Sequence, residues 1–156
     1  MHSSALSIPA EQWAHYQQAV VDIQFATRTQ RVAPCAPGTT RGLFPVRSRE
    51  TIHVLTAFNP AGRTVSAEDN ERAHAALLRE LNRRSVTWWR ATGGDPYGTH
   101  TEKSAAVIGL TEADAREIGQ RFGQDAVFAW TPRTWRLLSC VSDQVQESGW
   151  RASEQR

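Results

Sequence analysis

Apolar and polar positions alternate in two rhythms along this chain. Over residues 11–22, EQWAHYQQAVVD, the apolar Trp13, Tyr16, Ala19 and Val20 recur at helical spacing and predict an amphipathic helix. From Ile23, IQFATRTQRV alternates in steps of two and predicts a strand. TIHVLTAF, residues 51–58, is apolar on both faces, as an interior strand should be, and Asn59-Pro60 ends it because proline cannot donate to a ladder. Ser66 then caps a helix, with Asp69 placed for a reciprocal bond; its stripe is Asn70, His74, Leu77, Leu78 and Leu81. VTWWRAT (86–92) and KSAAVIGL (103–110) read as two more strands around the turn-rich GGDPYGTHTE. Thr111 caps a second helix with the stripe Ala115, Ile118 and Phe122, and Gly123 suits a left-handed stop. DAVFAW and TWRLLSC are strands joined across Thr131-Pro132-Arg133.

Residues 51–131 therefore read βαββαβ. The expected fold is α+β, a ferredoxin-like split βαβ two-layer sandwich with helices on one face of an antiparallel sheet. One domain is expected over 1–156, since a chain of this length buries roughly 68–70% of its unfolded surface in a single core. Within it, 1–32 forms an N-terminal helix and strand, 33–50 a long Pro/Gly/Arg loop with the look of a lid, 51–141 the core plus an extra strand, and 142–156 a polar tail, a short helix or frayed.

Composition narrows the function classes. The formal charge of +2 predicts no polyanion partner. Cys35 and Cys140 lack CxxC spacing and read as reduced thiols, so no metal and no cofactor is expected. No run approaches the ~20 apolar residues of a membrane span. The N-terminal MHSSALSIPAEQ lacks a leader pattern, and the cytoplasm is the expected location. GxSxG, HExxH, phosphate-loop and dinucleotide fingerprints are missing. Cys35 has no identifiable base to make it a nucleophile.

The polar residues that break the pattern are the candidate site. Asn59 follows the first core strand, Asn70 and His74 interrupt an apolar stripe, and Gln124 precedes the fourth core strand. In a split βαβ sandwich the first strand's end and the fourth strand's start share an edge, so the three amides can converge, with Arg63 nearby and an indole such as Trp89 as a wall. Free N–H groups at the helix start around Ser66 to Asn70 suit an anionic group. His74 and Glu102 are the candidates for proton transfer. A third core strand parallel to the first would put Glu102, at its start, a strand length from Asn59, roughly 20 Å. The competing account makes these groups structural: an Asx turn at Asn59, buried amides bonded for stability, a core histidine, and Glu102 paired with an arginine.

These residues also carry a family resemblance. The TAFNP turn, Asn70, the Leu77 to Leu81 region, Gly94-Asp95-Pro96, Glu102 before a strand, and Phe122-Gly123-Gln124 followed by Ala126-Val127 resemble, in order and spacing, a bacterial domain-of-unknown-function family, series three-two-nine-three, over about residues 51–131. That family brings boundaries and site positions, and no activity. Three functions stay open. The first is binding of a small polar or anionic molecule near Asn59, Asn70 and Gln124, with or without catalysis. The second is a protein-interaction or accessory module, homodimer included, signalled by Trp88 or Trp89 in an exposed apolar patch. The third and least favoured is nucleic-acid binding on an open sheet face beside Arg79, Arg83, Arg84 and Arg90.

Overall fold

The computed structural model describes residues 7–155. Residues 1–6, the start of the stretch read above as leaderless, and residue 156 lie outside them. The elements in chain order are α1 (Ala10–Gln17), β1 (Val20–Gln24), β2 (Thr29–Cys35), β3 (Thr40–Arg41), β4 (Ile52–Thr56), α2 (Ala67–Arg83), β5 (Thr87–Gly94), β6 (Thr101–Ile108), α3 (Glu112–Arg121), β7 (Ala126–Trp130), β8 (Trp135–Ser139) and β9 (Val145–Gln155).

The two-layer sandwich is overturned. The strand order is β2-β1-β5-β6-β4-β7-β8-β9, and β9 pairs again with β2, so eight antiparallel strands close into a barrel; the two-residue β3 adds to β9 in parallel. The sheet does not end at the core strands because β1 joins the free edge of β5 and β8 the free edge of β7. The tail expected to be helical or frayed is the closing strand. Its residues Val145–Leu138 and Ser148–Trp135 pair with β8, and Gly149 to Gln155 pair with β2. The single strand expected from Ile23 is the β1–β2 hairpin, and the loop 33–50 contains the end of β2 and all of β3.

Closure gives every strand an inside and an outside, and alternation sorts the residues. Inward-facing Val21, Ile23, Val32, Ile52, Val54, Ala106, Trp130 and Trp150 form one buried cluster. Leu55, Ala105, Val107, Val127 and Leu138 face outward, where Leu77 and Leu81 of α2 and Ala115 and Ile118 of α3 cover them. That is why β4 is apolar on both faces. Ser66 accepts from the Asp69 N–H and Thr111 from the Asp114 N–H, as their caps predict, while Asp69 turns its carboxylate to Arg72 instead of returning the bond. Gly119 lets α3 approach the sheet: a Cβ there would lie 2.6 Å from Cys140 Sγ.

Bulk is unevenly shared inside. Trp130 stands edge-on to Trp150 (5.3 Å between ring centroids) and to Phe44 from the 42–51 loop (5.2 Å), so one end is plugged by aromatic rings and by part of the segment read as a lid. The other end carries Gly93, Gly94, Ser104 and Ala126 and stays hollow under α1. None of the described helices is long and apolar enough to cross a membrane.

Two predictions follow from this packing. Trp150→Ala removes a 2%-exposed ring from the closing strand and is expected to cost about 3–5 kcal/mol by denaturant titration; a loss below ~1 kcal/mol would mean that the β9 closure adds little. His53, buried under α3 on the outer face of β4, has its pKa lowered to about 4, chiefly by loss of hydration. Its stability contribution is complete above the unfolded value near 6.5 and is lost as pH falls from there toward about 4, because only the unfolded chain takes up the proton in that window. The stability slope between those values should flatten in His53→Asn, and an unchanged slope would reject the assignment.

Candidate functional site

The hollow end of the barrel is a cavity of about 370 Å³. Its walls are Val21, Val54, Ala126 and Phe128, with Gly93 and Gly94 where larger side chains would fill it, and α1 lies across the mouth. α1 is held there by Trp13, which is buried, by Tyr16, whose hydroxyl donates to Asp125 Oδ2 (2.9 Å), and by Gln12, which donates to the same hydroxyl (2.9 Å). Gln12 also lies against Gly62, where φ is +73° and a Cβ would meet Gln12 Nε2 at 2.5 Å. Burial, with Asp125 nearby, raises the Tyr16 pKa and keeps the phenol protonated.

Glu102 stands on the inner face at this mouth, opposite Gly93 in the β5–β6 ladder. The expected separation from Asn59 is overturned: β4 and β6 are antiparallel neighbours with Thr56 opposite Ser104, so the start of β6 lies at the end of β4. It is β4 and β5 that run parallel, split by β6. Asn59 Nδ2 donates to Glu102 Oε2 at 3.0 Å, and His100 Nε2 lies 3.3 Å from the same oxygen.

The amides are arranged in a hierarchy. Asn59 adopts the left-handed conformation (φ 45°), which asparagine tolerates better than most residues. Its backbone N–H donates to Asn70 Oδ1 (2.9 Å), while its Oδ1 accepts from Asn70 Nδ2 (3.0 Å) and the Val65 N–H (3.2 Å). Two donors on Oδ1 fix which way the amide faces and turn Nδ2 toward Glu102. Asn70, the polar residue in an apolar stripe, thus shapes the turn that orients Asn59. Gln124 does similar work below, donating to the Phe58 carbonyl at 3.0 Å, and Gly123 (φ +71°) lies against Pro60 where a Cβ would come within 2.9 Å. The β5–β6 loop is held by Asp95, whose carboxylate accepts from the Tyr97, Thr99 and His100 N–H groups and the Thr99 hydroxyl; these bonds lower its pKa to about 2.

The other sequence candidates lie elsewhere. His74 is packed edge-on to Phe58 (6.1 Å), outside the cavity lining, with its pKa lowered by burial first and by Lys103 second. Arg63 is exposed on the turn after Pro60–Gly62 and does not line the cavity. Trp89 faces the barrel interior against Phe25 (5.0 Å), away from the cavity wall, and Trp88 packs toward α2 with its indole N–H on Asn82 Oδ1 (2.9 Å). Neither forms the exposed patch that an interaction module would announce. Gln12, His15 and Tyr16 of α1 line the cavity and were missed by sequence reasoning; Tyr16 was assigned to the apolar stripe of α1, and only its polar tip could have signalled otherwise. No group of three or more His, Cys, Asp or Glu that could hold a metal ion occurs among the described residues.

Asn70→Leu is expected to destabilise the fold by ~1–3 kcal/mol, since it strands the Asn59 N–H and frees the Asn59 amide to rotate. Thermal and urea unfolding test this, and a variant as stable as the parent would remove Asn70 from the architecture of the turn.

Comparison with curated proteins and with solved structures finds no match. A family model does match, and the stretch it covers contains Asn59, Asn70, Glu102 and Gln124, the polar framework of the mouth, while α1 with Gln12 and Tyr16 lies outside it. Residues 55–127 match the family described as protein of unknown function (DUF3293), the same series that the TAFNP turn, Asn70, Glu102 and Phe122-Gly123-Gln124 resemble.

Proposed function

We propose that this domain binds a small molecule at the α1-covered mouth of the barrel, with an apolar body against Val21, Val54 and Phe128 and a hydrogen-bond-donating end at Glu102. The observation that carries the reading is the division of labour between the two carboxylate oxygens. Oε2 takes both Asn59 and His100, while Oε1, on a side chain 23% exposed, has no hydrogen-bond partner among the described residues. A carboxylate in a largely apolar cavity is costly unless donors reach it, so a ligand that brings one is favoured there. Eight-stranded barrels are the size at which an incompletely filled interior holds one small ligand.

The lining also bears on the sign of the ligand. Asp95 and Glu102 are among the lining residues, the basic groups there are the histidines His15 and His100, and lysine and arginine are absent, which supports a neutral or cationic molecule over an anionic one. For acid–base chemistry on that ligand, Glu102 is the base the geometry favours, and His100, 64% exposed, is its route to solvent. The two free thiols, Cys35 and Cys140, support a reducing compartment such as the cytoplasm.

A thermal-shift screen against a metabolite library tests the reading with one engineered control. Gly93 lines the cavity, and a Cβ there meets only Ser104 Oγ, at an ordinary 3.6 Å, so Gly93→Val should fold and fill the space. A true ligand at ~100 times its Kd adds about 2.7 kcal/mol to the parent and nothing to Gly93→Val. Hits that stabilise both proteins equally would place binding elsewhere and reject the cavity.

A further inference from the structure

Glu102 differs from the half-buried Asp22 and Glu112 and from the buried Glu80 in what faces it. Asp22 meets Arg31 at 2.8 Å. Glu80, buried on α2, is held by Arg83, Arg84 and Arg121, which lower its pKa to about 2. Glu112 lies between Arg136 (2.8 Å) and Arg116 (3.2 Å). Glu102, with 23% of its side chain exposed, has a histidine as its ion partner and no lysine or arginine among the described residues. Lys103, next in sequence, turns to the outer face and binds Glu71 at 2.9 Å. The neighbouring polar groups do not neutralise it either. The Tyr16 hydroxyl donates its hydrogen bond to Asp125, and Asp95 is committed to its own loop; these two aspartates also lack a lysine or arginine partner among the described residues, but each has its donors already.

From this we infer that the ligand of the cavity carries a primary or secondary ammonium group, which docks on Glu102 Oε1 while its apolar portion extends along Phe128, Val54 and Val21. The inference rests on the ligand-binding reading of the cavity and adds the class of head group. An ammonium brings donors to the unpartnered oxygen and a fixed positive charge to a carboxylate that has no lysine or arginine beside it among the described residues, and in a site partly shielded from water that charge-assisted bond is stronger than one from a neutral hydroxyl. Asn59 and His100 both contact Oε2, so the carboxylate is held before the ligand arrives and Oε1 stays free to accept. The ring of Phe128, on the lining, offers the adjoining carbon atoms an apolar face.

Three probes of one size separate the possibilities: n-hexylammonium, 1-hexanol and hexanoate, titrated into the full chain by calorimetry and followed by NMR shifts, with Glu102→Gln and Gly93→Val alongside. The expected result is n-hexylammonium binding at least ~10-fold tighter than 1-hexanol, with hexanoate weakest. Glu102→Gln should bring the amine and the alcohol to similar affinity, and Gly93→Val should abolish both. Circular dichroism establishes that each variant is folded. Alcohol or carboxylate binding as tightly as the amine, or an amine preference that survives Glu102→Gln, overturns the ammonium assignment while leaving the cavity as a binding site. Failure of all three probes to bind the folded parent overturns the cavity reading and the inference with it.

Discussion

The ladder between β9 and β2 is the constraint on which the rest of this structure depends. Without it β2 and β9 would be sheet edges, and Trp150, which lies opposite Pro34 in that ladder, would lose its enclosure. Closure is possible because β9 serves two partners in succession, β8 with its first residues and β2 with its last. The change of partner falls at Gly149, where the carbonyls of Thr39 and Ala36 come to 2.0 and 2.4 Å from where a Cβ would stand. No side chain fits there, and the loop that descends onto Gly149 leads directly to β3, which clips the outer side of β9.

Once the ring is closed, side-chain volume decides where it is solid and where it is hollow. Tryptophans and Phe44 fill one end, and glycine, serine and alanine line the other. The polar framework belongs to the hollow end and is built in layers: Asn70 and the Val65 N–H orient Asn59, Asn59 holds Glu102, and Gln124 with Gly123 supports the turn from beneath. The competing structural account of the amides is thus right about what Asn70 and Gln124 touch, yet their product is an oriented carboxylate at the rim of a cavity. Structural and functional roles are here successive steps of one arrangement.

Much of the local structure was legible in the sequence. The caps at Ser66 and Thr111, the interior character of β4 and the helical stripes depend on neighbours a few residues apart, and periodicity records those directly. β9 was not legible because it contributes so little apolar surface: Trp150 and Ala152 are its main inward residues, too few to stand out from a polar tail. Missing it left a sheet with two free edges and made a sandwich the natural conclusion. The polar residues at 59, 70, 102 and 124 were visible as breaks in pattern, but the distance between Asn59 and Glu102 hinged on strand direction, which periodicity does not encode. Tyr16 was hidden by its own amphipathic nature, since its ring satisfies a helical stripe while its hydroxyl lies at the cavity.

The pairing of residues 29–35 with 149–155 has a consequence in time as well as in space. Most of the chain, residues 36–148, lies between these partners, and the entropy of closing so long a loop must be overcome before any contact of the ladder is gained. The β4–β7 region with its two helices makes its contacts over shorter spans and can condense first, leaving β2 and β8 as exposed edges until β9 arrives. The period of greatest vulnerability to intermolecular strand pairing is therefore the interval before the last strand docks, and a change that slows that docking would act on yield more than on the finished protein.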